Sequence, residues 1–85
     1  MIRLSHHENN GSRVVRLEGR LDSETVPELR AFLREAGEGS LTLELSGLAS
    51  IDHDGLAALI SLRNAGYALQ GGTLYVNRLL KEANP

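Results

Sequence analysis

The sequence predicts an α/β fold: a mixed β-sheet with helices packed on one face, in the order β-β-α-β-α-β-α, the last helix short. Three observations carry that expectation. Leu41-Thr42-Leu43-Glu44-Leu45-Ser46 alternates apolar and polar residues over six positions, as a strand with one buried and one wet face should. Val26, Leu29, Phe32, Leu33 and Ala36 recur at helical spacing, which gives one apolar stripe. Turn chemistry separates these segments, and one-sided strands combined with one-sided helices bury their apolar surfaces best in two layers.

The elements follow in order. Ile2-Arg3-Leu4-Ser5-His6 alternates and forms a first strand; Glu8-Asn9-Asn10-Gly11-Ser12 is a turn; Arg13 to Glu18 returns as a second strand, so the two make a hairpin. A helix is expected from about Thr25 to Ala36. Thr25-Val26-Pro27-Glu28 fits a capping box with Thr25 as N-cap, and Pro27 falls in the first turn, where its missing N–H costs nothing. Gly37-Glu38-Gly39-Ser40 ends it, and the Leu41–Ser46 strand follows. Gly47-Leu48-Ala49-Ser50-Ile51 is expected to be a connector. A second helix begins near Gly55 with Leu56, Leu59 and Ile60 at helical spacing. It stops either at Asn64, with Gly66 as left-handed cap, or at Leu69, with Gly71 in that role. Thr73-Leu74-Tyr75-Val76-Asn77 is expected to be the fourth strand, and Leu79-Leu80-Lys81-Glu82-Ala83 the start of the short third helix, cut off by Asn84-Pro85. Arg16, Glu18, Thr42 and Glu44 line the solvated face of the sheet.

At 85 residues the chain is expected to be a single domain spanning residues 1–85. Its 41% hydrophobic and 24% charged content is that of a soluble globule. A net charge of −2 gives no basic footprint for nucleic acid. The absence of cysteine rules out disulfides, zinc–thiolate sites and thiol nucleophiles. MIRLSHHENN has no apolar signal core and no stretch approaches the roughly 20 apolar residues of a membrane span, so a cytoplasmic location is expected, without membrane insertion.

The chemistry-bearing residues gather in Ser50-Ile51-Asp52-His53-Asp54-Gly55-Leu56, where a helix opens on two acids around one histidine. Three consecutive side chains do not converge on one ion, and the other histidines, His6 and His7, are distant in sequence, so no metal is expected. Neighbouring residues at a helix start also diverge too far to act as nucleophile and base, and no oxyanion hole or phosphate-binding glycine loop is recognisable. No enzyme activity and no cofactor are expected. The plainest role for Asp54 is helix N-cap. Gly55 is expected to allow a close backbone approach at the helix start.

The same stretch carries a family resemblance. A strand, a short connector and Asp52-x-x-Gly55-Leu56 opening a helix are preceded by RLEGRLDSETVPELRAFL and followed by GGTLYVN. Their order and spacing resemble the STAS family, the domains of sulfate transporters and anti-sigma factor antagonists, over about residues 3–80. The resemblance implies a mixed sheet with helices on one side and favours the longer second helix, ending at Gly71-Gly72. It also implies that Asp52 lies in a partner-facing loop, and that the residue after it is a serine phosphorylated by a kinase-like anti-sigma partner. Here that position is His53, and Asp54 replaces a small residue, so the serine switch has no hydroxyl. Three functions follow as expectations. The first is a regulatory protein acting by contact through Ser50, Asp52, His53, Asp54, Gly55 and Leu56, with a kinase-like anti-sigma factor as partner. The second is an accessory subunit docking on the ATPase subunit of a lipid-trafficking ABC transporter. The third is a phosphoryl-accepting module using the His53 imidazole. A homodimer is a further partner state left open, and self-association is expected if Leu79 and Leu80 are exposed.

Overall fold

The computed structural model describes residues 1–37 and 41–82. Seven elements follow one another: β1 (Ile2–Asn9), β2 (Ser12–Leu21), α1 (Val26–Ala36), β3 (Thr42–Ile51), α2 (His53–Asn64), β4 (Ala68–Gln70) and α3 (Leu74–Glu82). The strands lie in the order β1-β2-β3-β4. β1 and β2 are antiparallel, while β2–β3 and β3–β4 are parallel, which makes the sheet mixed.

The hairpin follows from its turn. Asn9 pairs with Ser12, leaving Asn10 and Gly11 as a two-residue loop with φ of 54° and 81°. Positive φ at both central positions is the geometry whose twist matches the flanking strands, and Asn-Gly is the sequence that adopts it most readily. Val15 and Leu17 of β2 and Leu43 and Leu45 of β3 are fully buried. They share one core with Leu29 and Leu33 of α1, Leu59 and Leu62 of α2, and Val76 and Leu80 of α3. On the opposite face Arg16 is exposed and Glu18, Thr42 and Glu44 are half-buried. The Glu44 carboxylate accepts the Ser46 N–H at 2.8 Å; hydrogen bonds to Ser46, with Gln70 and the Arg16 charge behind them, hold it below the usual glutamate range against partial desolvation. Arg13 donates to the Ala36 carbonyl, so a cation of the hairpin satisfies the last turn of α1.

The structure corrects the sequence reading from β3 onward and at the start of α1, and it extends β2 from the expected Glu18 to Leu21. β3 runs through Gly47–Ile51 instead of ending at Ser46. Its buried residues are Leu43 and Leu45, two apart, then Leu48 and Ile51 at steps of three, and the β2–β3 register slips between Arg16 and Glu18 and again between Gly19 and Arg20. Such irregularities break the period of two that the sequence reading relied on. At Gly47 a Cβ would come within 2.6 Å of the Glu18 Cγ and 2.9 Å of the Leu17 carbonyl oxygen, so the glycine makes the close strand approach there possible.

The second correction concerns the end of α2. It stops at Asn64, and the longer helix favoured by the family resemblance does not form. Gly66, at φ 108°, gives its N–H to the Arg63 carbonyl, and Tyr67 gives its own to Leu62, both at 3.1 Å. This paired arrangement is the left-handed helix terminator that glycine favours. No atom lies within 4 Å of a Cβ built on Gly66, so Gly66→Ala should destabilise the protein only through its backbone, by about 1 kcal/mol. A urea midpoint equal to that of the parent protein would show that the terminator contributes nothing.

The third and fourth corrections follow from the second. The fourth strand is Ala68–Gln70, placed by pairing Leu69 with Leu43, and Thr73–Asn77 is not a strand. Thr73 precedes a helix whose first N–H groups it satisfies: its hydroxyl accepts from Val76 N at 3.1 Å and its carbonyl from Asn77 N at 3.0 Å. α3 therefore begins at Leu74, not Leu79; its buried stripe is Val76 and Leu80, with Leu79 half-buried. The condition set for self-association through exposed Leu79 and Leu80 is thus not met. Ala83, Asn84 and Pro85, and the expected turn residues Glu38, Gly39 and Ser40, lie outside the described residues.

The fifth correction is at the start of α1. Thr25 does occupy the N-cap position, but its side chain makes no cap hydrogen bond to the helix.

Candidate functional site

The parallel pair β2–β3 brings the β2–α1 loop and the start of α2 to the same end of the sheet. In open α/β sheets this end, beyond the carboxyl ends of the strands, is where sites are commonly built. The first loop is held by Asp22 and Thr25. The Asp22 Oδ1 accepts from the N–H of Glu24 at 3.0 Å and of Thr25 at 3.1 Å. The Thr25 hydroxyl is buried; it donates to the Arg20 carbonyl and accepts the Asp22 N–H, both at 2.9 Å. Thr25 thus faces back to the end of β2, and the Asp22 carboxylate holds the loop ahead of α1 by accepting the Glu24 and Thr25 N–H groups. Desolvation pushes the Asp22 carboxyl up, and the donors of Thr25 and Glu24 outweigh it, so the group stays ionised further into acid than an ordinary aspartate.

Asp52 governs the second loop. It is the N-cap of α2 in extended conformation, with its Oδ1 accepting the Gly55 N–H at 2.8 Å. The cap is therefore Asp52 and not Asp54. Asp54 lies within the first turn, where its charge complements the helix dipole. The other Asp52 oxygen, Oδ2, accepts the Ser23 N–H at 3.3 Å, and the Asp52 N–H donates to the Leu21 carbonyl at 3.2 Å. One carboxylate thus joins the loop after β2 to the helix after β3.

The predicted contact residues separate into two groups. Asp52, His53 and Asp54 are exposed, with His53 as the first residue of α2. Gly55 is buried, Leu56 and Ser50 are half-buried, and Ser50 sits within β3 opposite Arg20. Gly55 has the role expected of it: a Cβ there would run into the Leu21 carbonyl oxygen and come within 2.9 Å of the Ile51 Cγ1. The sequence reading missed Asp22, Ser23 and Glu24 as neighbours of this cluster. The available signal was topological: two strands that each lead into a helix, once parallel and adjacent, present their following loops side by side. Among the described residues no three histidine, aspartate or glutamate side chains are placed to hold a metal ion.

The mixed four-stranded sheet agrees with the fold that the STAS resemblance implies. The chain belongs to the STAS_2 family, described as "Mlab, STAS domain", which matches residues 4–81. Its structure is similar to that of the anti-sigma factor antagonist SpoIIAA in its unphosphorylated form, with a TM-score of 0.68 and 17% identity over 98% of this chain and 80% of that one. It is also similar to a DUF3478-family protein with a SpoIIAA-like fold from Shewanella loihica PV-4, with a TM-score of 0.60 and 14% identity over 98% of this chain and 76% of that one. No curated protein matches the sequence. Among the described residues, no helix is long and apolar enough to cross a membrane.

Proposed function

We propose that this chain is a non-enzymatic regulatory module, similar to anti-sigma factor antagonists, that acts by protein–protein contact through the end formed by Asp22–Glu24 and Asp52–Asp54. The observation that supports this most is the setting of His53. It is exposed at the first residue of α2, beside a cap that also ties down the neighbouring loop. A preorganised, exposed turn of this kind costs little ordering entropy when a partner docks on it. The partner in this reading is a kinase-like anti-sigma factor. With no hydroxyl at position 53, contact is not released by serine phosphorylation there. Binding is instead constitutive.

Affinity for that partner, measured by calorimetry, tests the reading. His53→Ala should weaken binding roughly tenfold, or about 1.4 kcal/mol, with an unchanged thermal midpoint, because the side chain is exposed. Unchanged affinity would remove the turn from the interface. Incubation with the partner and ATP separates the phosphoryl-accepting alternative, since a phosphohistidine would appear as an acid-labile, base-stable adduct.

A second reading is favoured by the matched family's description as an Mlab STAS domain. In it the same end docks on the ATPase subunit of a lipid-trafficking ABC transporter, inside the cell. Stoichiometric co-purification with such a subunit, lost in His53→Ala, would select this reading over the first.

A further inference from the structure

α3 buries one side and leaves the other bare. Val76 and Leu80 face the core, while Leu74 is 90% exposed and Tyr75 58% exposed. With Met1 these are the large apolar side chains left open among the described residues. Leu74, Arg78 and Lys81 are spaced i, i+4 and i+7, so they form one stripe, with Tyr75 and Asn77 on its flanks; the five residues line a single groove. Among the described residues no strong contact engages the cations of this stripe. Arg78 forms an ion pair with Glu82, at 4.0 Å, between two side chains that are 79% and 68% exposed. A pair that long and that solvated contributes little.

In helix-in-groove recognition an amphipathic helix lays its apolar face into a groove, and Leu74 and Tyr75 offer the apolar lining such a face would cover. The composition of the stripe, an aromatic and an aliphatic residue beside an arginine, is that of interface cores. The two charges that line the groove, Arg78 and Lys81, are both positive, with Glu82 beside Arg78 at its edge, and that selects the occupant. A membrane is the weaker candidate: two basic residues contribute about 1 kcal/mol each near an anionic surface, and one leucine with one tyrosine adds little insertion to hold a chain whose net charge is −2. We propose that the outward face of α3 docks an acidic amphipathic helix of a partner protein, whose apolar side chains cover Leu74 and Tyr75 and whose carboxylates meet Arg78 and Lys81. This surface belongs to a different element from the Asp52–Asp54 turn and stands or falls independently of it.

The test is a heteronuclear NMR titration of the full chain with two synthetic amphipathic peptides. Both carry leucines at i, i+3, i+4 and i+7; one has glutamates along the flanks and the other lysines. The glutamate peptide should shift the amide signals of residues 74–82 and bind about tenfold more tightly than the lysine peptide. The double variant Arg78→Glu/Lys81→Glu should reverse that preference, and Leu74→Ser should weaken both. These positions are exposed, so the variants should fold with the parent's spectrum elsewhere. Equal binding of the two peptides, or shifts at α3 with neither, would overturn the proposal. So would α3 signals that respond to phosphatidylglycerol vesicles in place of peptide, or to protein concentration alone, because the face would then serve a membrane or a second copy.

Discussion

Gly55→Ala should be the most damaging single-atom change at the candidate site, lowering stability by roughly 1–3 kcal/mol. Helix propensity predicts the opposite sign, since alanine is favoured over glycine by about 1 kcal/mol within a helix. Packing decides the outcome. Gly55 is buried, and an added methyl would collide with the Leu21 carbonyl oxygen and the Ile51 side chain. The first obstacle is backbone at the end of β2. It also accepts the Asp52 N–H, so it cannot move without breaking that hydrogen bond. The urea midpoint should fall, and the amide signals of residues 21–23 and 52–56 should shift together. A midpoint equal to or above the parent's would mean that α2 rides free of β2 and that the close approach carries no energy.

Asp52 gives the second large effect, and two substitutions separate its two bonds. Asp52→Ala removes both the cap on Gly55 and the acceptor for Ser23, and should cost about 1–2 kcal/mol. Asp52→Asn keeps one oxygen for the cap, a role asparagine fills as well as aspartate, but turns an N–H donor toward the Ser23 N–H. Its stability should stay within about 0.5 kcal/mol of the parent, while hydrogen exchange at Ser23 quickens and that at Gly55 does not. If asparagine destabilises as much as alanine, the link to the β2–α1 loop outweighs the cap. If neither substitution matters, the carboxylate is ornamental to the fold.

The parts of the fold legible in the sequence are those where local pattern and tertiary demand agree. Asn10-Gly11 specifies a hairpin turn by backbone conformation alone, and the α1 stripe and the Leu41–Leu45 alternation each name their buried face. The pattern misled where two signals competed. Thr73-Leu74-Tyr75-Val76 has β-forming composition, yet Val76 and Leu80 are spaced for a helix, and Thr73 supplies its first hydrogen bonds. Propensity over so few residues yields to packing. Ala68–Gln70 is too short to show any period, and it becomes a strand because Leu69 meets Leu43. At the site, the sequence pattern suggests Asp54 as the helix cap, where the structure has Asp52. An aspartate at either position would suit a helix start, and the extended backbone of Asp52 with its bond to the Gly55 N–H distinguishes them. The β2–α1 loop was invisible because its nearness depends on the pairing of two strands with a helix between them.

The order of the sheet leaves two strands whose outer backbone groups meet no neighbour within the described fold, β1 and β4. Open rows of this kind are templates for further strands and a hazard for any small sheet protein. The two edges are guarded differently. β4 offers three residues, too short a row for another chain to read. β1 offers eight, but Arg3, His6, His7 and Glu8 lie along it, and an incoming strand would have to strip water from each of them. The hydrophilic side chains of the first strand, which looked incidental in a sequence centred on Asp52 and His53, therefore work against growth of the sheet into an aggregate.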